Sequence, residues 1–269
     1  MIWADTHRCI YMLTRYGVRL CFSFSPIDED LKDSDVDLHF MQVPGFTQPR
    51  GNWFSIHSMY QALHPDYRAV VHEWGFGAFF SILPRRCPWG YLRALSERWF
   101  HQTQSLHLLD CEVMMTPMDW RFITGVEFGG EPVPCMANIT PTVVRSLLGV
   151  PVAALKGRTV RSGPLSVDVV SGLLSEPMPD DVRIRDRVLR RLFLMIIRGC
   201  FIADNSSTVS FAWVSAMRDV DRIGEYDWGS YTFAYFLRGM RMRSQGLTEA
   251  WLGFYPFLLV SISLIFSHL

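Results

Sequence analysis

The stretch that decides the fold runs from Ser96 to Gly125 and reads SERWFHQTQSLHLLDCEVMMTPMDWRFITG. In its middle, apolar and polar residues alternate on both sides of Leu109–Asp110, a pattern typical of a β-hairpin. Thr116 then suits a helix N-cap, Asp119 follows it three residues later, and Gly125 suits a left-handed helix end. The stretch therefore predicts a helix, a hairpin and a short capped helix in succession.

Helical patterns dominate the sequence on both sides of this stretch. Pro65 and Asp66 suit the first turn of a helix that ends near Gly75. An apolar stripe at helical spacing marks residues 181–204: Leu189, Leu192, Phe193 and Ile196. Asp227 suits the N-cap of a later helix. Together these patterns predict a mainly α fold, a multi-helix globular domain with a small β-hairpin element.

Composition and charge indicate one substantial globular core. Hydrophobic residues make up 49% of the 269-residue chain and charged residues 19%, which excludes a disordered chain. The formal net charge is +0, so nucleic-acid binding would need a local basic patch. We predict an irregular acidic segment over residues 1–52, the globular domain over residues 53–257, and an apolar tail over residues 258–269.

The opening stretch also raises the question of a metal site. His101, His107 and Cys111, with Asp110 or Glu112, could in principle approach one ion. Zinc sites need four converging ligands, usually from two closely spaced pairs. The hairpin pattern places His107 and Cys111 on different strands, and the sequence holds no second close pair. We therefore predict a packed hairpin and no metal.

Enzymatic motifs are absent from the sequence. Asp219 and Asp221 form a DxD pair, but two residues apart on a helix they would point in different directions. A pyridoxal enzyme needs a Schiff-base lysine, and the contexts of Lys32 and Lys156 do not favour one. The chain has no P-loop, GxGxxG, GxSxG or HExxH string. We predict no catalytic residue, no cofactor and no small-molecule substrate.

Two other features leave alternatives open. Arg187, Arg190 and Arg191 could form a phosphate-binding stripe for nucleic acid, or simply the solvated face of an amphipathic helix. The uncharged stretch from Ala250 to Ser267 reaches the minimum length of a membrane span, which would suit a tail anchor. Gly253 and Pro256 dilute its apolar character, which argues against a membrane anchor.

Two separated blocks of the sequence resemble the plant mobile domain family, also labelled aminotransferase-like. The first block carries Leu95, Glu97, Arg98, Trp99, Leu106, His107, Leu108, Thr116, Asp119, Gly130, Pro132 and Val133. The second block carries the string IGEYDWGS, with Gly224, Tyr226, Trp228, Gly229 and Ser230. The resemblance covers roughly residues 60 to 255, in the family's order, while the last dozen residues match nothing in the family. We therefore expect a domain that is divergent or shortened at its C-terminal end.

The resemblance implies a function as well as a fold. The family is related to transposon-encoded genes, and its maintenance-of-meristems-like members are nuclear proteins of development and transposon silencing. It implies protein or chromatin partners of unknown identity and a non-enzymatic role. Some members carry a fused metallophosphatase domain, but this chain has no GDxHG, GDxxDRG or GNH[DE] string, so that activity is not implied here.

We interpret the signature residues of both blocks as structural. His107 and Cys111 are predicted to lie in the hairpin core. Trp99, Trp120 and Trp228 are predicted to anchor helices, because large aromatic side chains bury much area where elements meet.

Overall fold

The computed structural model describes residues 8–13, 19–24, 51–84, 89–108, 111–135, 138–161, 163–203, 208–248 and 252–266. Its helices are α1 (Trp53–Gln61), α2 (Pro65–Glu73), α3 (Trp89–Glu97), α4 (Pro117–Thr124), α5 (Pro141–Leu148), α6 (Val167–Leu174), α7 (Val182–Ile196), α8 (Phe211–Ser215), α9 (Trp228–Ser244) and α10 (Tyr255–Phe266). Its strands are β1 (Arg8–Leu13), β2 (Arg19–Phe24), β3 (Trp99–Phe100), β4 (Ser105–Leu108), β5 (Cys111–Met114), β6 (Leu155–Lys156), β7 (Thr159–Arg161) and β8 (Thr208–Ser210). The predicted mainly α fold is confirmed.

The strands form three small antiparallel sheets, where the sequence predicted one hairpin. Their orders are β1-β2, β3-β4-β5 and β6-β7-β8. The β1-β2 pair lies within the segment predicted to be irregular, so that prediction is wrong for these two strands. Aromatic and aliphatic residues such as Ile10, Tyr11 and Phe22 favour strands, and this local preference competes with the acidic run that suggested irregularity. The acidic run itself lies outside the described residues.

The predicted central hairpin is confirmed in position. Leu106 pairs with Val113 across β4 and β5, and both side chains are wholly buried. The predicted turn at Leu109–Asp110 lies outside the described residues. The predicted helix before the hairpin is α3, which ends at Glu97 because Trp99 and Phe100 pair with β4.

The predicted capping of α4 is also confirmed. The backbone N–H of Asp119 donates to Thr116 Oγ1 at 3.2 Å, and the backbone N–H of Thr116 donates to Asp119 Oδ2 at 2.9 Å. These reciprocal bonds form a capping box, with Pro117 in the first turn. Gly125 ends the helix with φ of 68°, a left-handed conformation that glycine adopts without strain.

The core centres on α4, α9 and α10. The Trp120 side chain is wholly buried, and its ring centroid lies 4.8 Å from that of Phe257 and 5.5 Å from that of Phe236. Leu258 and Ile262 are also wholly buried, so the domain core extends past the boundary predicted at residue 257. Burial in this core explains the apolar composition of the C-terminal segment. Within the described residues, no helix is long and apolar enough to cross a membrane.

Candidate functional site

The arginines of α7 are the first candidates for a binding surface, and the structure separates them. Arg190 is buried, and its Nε donates to the Met217 carbonyl at 2.8 Å. Its Nη2 donates to the Arg218 carbonyl at 2.9 Å and to Asp186 Oδ2 at 3.1 Å. Burial lowers the pKa of Arg190, against the opposing charge and hydrogen bond of Asp186. Its guanidinium is engaged inside the domain, so Arg190 is neither a candidate nucleic-acid contact nor part of a solvated helix face.

Arg187 and Arg191 lie on another side of α7, against the end of α5. Arg187 Nε donates to the Ser146 carbonyl at 3.2 Å. Arg191 donates to the carbonyls of Leu148 and Gly149, at 2.8 and 3.0 Å. These carbonyls belong to the last turn and cap of α5, where a helix is negatively polarised and favours cations. The two arginines therefore supply hydrogen-bond donors to carbonyl groups at the C-terminal end of α5.

A cleft opens beside these arginines. It has a volume of about 580 Å³ and is lined by Thr142, Arg145, Ser146, Gly149, Val150, Pro151 and Arg187. We refer to it as the α5–α7 cleft. Gly149 has φ of 61°, and a Cβ there would lie 3.0 Å from Arg187 Cδ, so glycine lets the arginine pass close to the backbone. The sequence pattern did not indicate Arg145 as a binding residue, because it lies on another helix, more than forty residues from Arg187 along the chain.

The second notable site is where the two signature blocks meet, between residues 127–131 and 223–230. Glu131 and Tyr226 form a parallel β-bridge. The Glu131 N–H donates to the Glu225 carbonyl at 2.9 Å, and the Asp227 N–H donates to the Glu131 carbonyl at 2.7 Å. We refer to this contact as the signature junction. It joins two segments that are distant in sequence through their backbones.

Glycines make this close approach possible. A Cβ at Gly130, which has φ of 100°, would lie 2.3 Å from the Glu225 carbonyl oxygen. A Cβ at Gly229 would lie 2.3 Å from the Glu127 carbonyl oxygen. Both contacts are far shorter than a carbon and an oxygen can sustain. The signature requires glycine at these positions because backbone occupies the space of a side chain.

The other residues of the second block have structural contacts as well. Asp227 caps α9, as predicted, by accepting a hydrogen bond from the Ser230 N–H at 2.8 Å. Trp228 is buried, and its indole N–H donates to the Ile223 carbonyl at 2.7 Å. Trp99 and Trp120 are buried too, which agrees with their predicted role as anchors. Trp99 lies in strand β3, and its ring packs against Phe236 of helix α9, with centroids 6.4 Å apart.

Comparison with known proteins bears on this arrangement. A family described as a domain of unknown function (DUF8566) matches residues 50–259, a range that contains both halves of the signature junction. The chain belongs to the DUF8566 family. No solved structure matches it.

The DUF8566 chain is also similar to two proteins of Arabidopsis thaliana. It is 24% identical to Protein MAIN-LIKE 1 over 196 residues, which are 65% of this chain and 38% of that protein. It is 24% identical to Protein MAINTENANCE OF MERISTEMS over 184 residues, which are 66% of this chain and 37% of that protein. The predicted resemblance to plant mobile domain proteins is thereby confirmed. The match spans less than two fifths of either relative.

In the DUF8566 chain the central hairpin carries a polar cluster. His107 Nε2 lies 3.2 Å from Glu112 Oε1, an ion pair when the ring is protonated. Buried Ser105 also donates to Glu112, and Thr103 lies 2.5 Å from Ser105, hydroxyl to hydroxyl. Burial alone would raise the pKa of Glu112, but the hydrogen bonds from Ser105 and Thr103 and the charge of His107 bring it below its usual value.

This cluster bears on two predictions about the central hairpin, the position of the His107 side chain and the possibility of a metal site. The His107 side chain is 32% exposed, so the prediction that it lies in the core is wrong; the opposite strand offers it a carboxylate partner instead. The side chain of Cys111 and all of Asp110 lie outside what the structure describes. Among the described residues, no three His, Cys, Asp or Glu side chains are grouped so that they could hold a metal ion.

The Asp219–Asp221 pair of the DUF8566 chain lies in a turn after α8. The Asp221 N–H donates to Asp219 Oδ1 at 3.1 Å, and both residues are exposed. The prediction that the pair lies on a helix is wrong, because α8 ends at Ser215. Asp221 also lines a second, smaller cleft of about 330 Å³, together with Glu73 and Arg185. That cleft contains charges of both signs, unlike the α5–α7 cleft.

Proposed function

We propose that this DUF8566 chain is a non-enzymatic nuclear module of a plant protein of transposon-related origin. It acts in meristem maintenance, development or transposon silencing by contacting protein or chromatin partners. The observation that carries the proposal is its similarity to MAINTENANCE OF MERISTEMS and MAIN-LIKE 1 over about two thirds of the chain.

The contacts of the signature residues support a scaffold in preference to an active site. Gly130, Gly229 and Trp228 are explained by the backbone approach and burial at the signature junction. In the central hairpin, Ser105 donates to Glu112 and not to His107, so the hydroxyl and the imidazole are not arranged as a nucleophile and its base. We place the functional contacts on the outer surface.

The proposal is tested by imaging and fractionating the tagged full chain in plant cells, followed by chromatin immunoprecipitation. We expect a nuclear protein enriched on chromatin. The control is Gly229→Asp, which breaks the signature junction and should lose the enrichment together with the fold. Exclusion from the nucleus would contradict the proposal. So would robust phosphoester hydrolysis by the purified chain that is lost when its acidic residues are substituted.

A second candidate function is nucleic-acid binding, supported by the charges around the α5–α7 cleft. Arg145 and Arg187 are exposed, and neither forms an ion pair with a carboxylate in the part of the chain that the structure describes. Unneutralised arginines are the usual donors to backbone phosphates. Binding of the purified chain to DNA that weakens steeply with salt would support this function, and absent or salt-independent binding would remove it.

A further inference from the structure

We propose that the α5–α7 cleft binds the backbone phosphates of duplex nucleic acid, through the guanidinium groups of Arg145 and Arg187. The inference rests on the second candidate function and names its site. It also replaces Arg190, the buried member of the predicted stripe, with Arg145 on the neighbouring helix.

The first argument is an excess of positive charge. Arg145, Arg187 and Arg191 lie on or beside the cleft, and no carboxylate within the described residues pairs with any of them. The C-terminal end of α5 offsets about half a charge, which is much less than the arginines supply. Burial lowers the pKa of Arg191, and the charge of Arg187 lowers it further, so these two cations repel each other. An anion in the cleft would relieve that repulsion.

The second argument is the supply of hydrogen-bond donors. Arg187 bonds to the Ser146 carbonyl through Nε, and its Nη groups form no bond with the described part of the chain. Thr142 and Ser146 add hydroxyl groups to the same lining, and both residues are exposed. Guanidinium groups bind phosphate oxygens in a planar, two-pronged manner, and hydroxyls are common further donors to backbone phosphates. The lining therefore has the chemistry of a phosphate site.

The shape of the charged surface favours a polyanion in a duplex. Arg183 is exposed one turn before Arg187 on α7, so the positive charge continues about 6 Å along the helix. A row of cations suits a chain of phosphates better than a single phosphate group. The lining contains no aromatic residue, and proteins that hold unpaired strands stack bases on aromatic rings. Backbone contact to a duplex, without base recognition, fits these residues best.

The test measures fluorescence anisotropy of a labelled mixed-sequence duplex with the purified full chain, between about 50 and 200 mM salt. The variant is Arg145→Gln with Arg187→Gln. The matched control is Arg121→Gln with Arg241→Gln, which removes the same charge from exposed positions elsewhere; Arg121 is already paired with Glu127 at 3.0 Å. Urea unfolding establishes that both variants are folded.

We expect the cleft variant to weaken duplex binding at least about tenfold and to lower the slope of log affinity against log salt by about 2. The control should stay close to the unmodified chain. If the chain binds duplex DNA and the cleft variant binds equally well, this site is wrong while the second function stands. If the chain binds no duplex even at low salt, the second function fails and this inference with it. Preference for a single strand or for a phosphoserine peptide over the duplex would overturn the duplex assignment.

Discussion

Replacement of Gly229 by alanine tests the signature junction most directly. The added Cβ would lie 2.3 Å from the Glu127 carbonyl oxygen and 2.8 Å from its carbonyl carbon. Both atoms are backbone, so relief requires the segment around Glu127 to move away from α9. That movement also lengthens the bond from the Gly229 N–H to the Glu127 carbonyl, which is 3.1 Å in the native structure.

The expected loss follows from three contributions to the free energy of unfolding. Overpacking of a tight contact costs about 1–3 kcal/mol. The weakened hydrogen bond costs up to about 1 kcal/mol. The better helix propensity of alanine offsets at most about 1 kcal/mol of this loss. We expect a net destabilisation of about 2 kcal/mol, which lowers the Tm of a domain this size by about 4–8 °C.

The assay is urea unfolding followed by circular dichroism, with Gly172→Ala as the matched control. Gly172 is exposed within α6, and a Cβ there would meet no atom within 4 Å. The same substitution should therefore stabilise the chain, by about 0.5–1 kcal/mol. Opposite signs at Gly229 and Gly172 are the expected result. Equal or greater stability of Gly229→Ala would refute the close backbone approach at the junction.

Three further predictions concern individual side chains. Thr116→Ala should lower the free energy of urea unfolding by about 1 kcal/mol, because the Asp119 N–H loses its acceptor, whereas Thr116→Ser should lose little; equal losses would contradict the capping box. Burial raises the pKa of Asp119 despite its bonds to Thr116. The native chain should therefore gain stability relative to Asp119→Asn as pH falls through the pKa of Asp119 in the folded state. The gain should be complete below the pKa of Asp119 in the unfolded state. Urea unfolding between about pH 7 and pH 3 measures that difference, and a constant difference would count against it. Arg190→Ala should cost about 2–5 kcal/mol in thermal unfolding, because the carbonyls of Met217 and Arg218 lose their donor and Asp186 is left with the ion pair to Arg185, at 3.5 Å; a cost below about 1 kcal/mol would show that the side chain is dispensable.

Local features of this fold could be predicted well from the sequence. The capping box of Thr116 and Asp119, the end of α4 at Gly125, and the pairing of Leu106 with Val113 all depend on residues a few positions apart. The determining interactions lie within the same turn or hairpin, so the local pattern contains the necessary information. The cap of α9 at Asp227 was predicted for the same reason.

Features that depend on distant partners could not be predicted in this way. Helical spacing does not distinguish Arg190 from Arg187, because the difference lies in the carbonyls of Met217 and Arg218, which α7 meets only after folding. An uncharged run of residues also has the same sequence pattern whether it crosses a membrane or packs into a protein core. The ring of Trp120 against α10 decides between these outcomes, and no local pattern reports that contact. The α5–α7 cleft was missed because its two arginines come from separate helices.

The packing of α10 has a consequence for genetics. A gene copy with an early stop codon just before Phe254 would still encode both signature blocks in full, and a search for those blocks would score it as intact. Its product would lack Phe254, Phe257 and Leu258, leaving the Trp120 cluster open to water. Exposed aromatic surface of this kind directs a chain to chaperones and proteases. Such an allele would behave as a null through lost protein abundance, with no change to any signature codon.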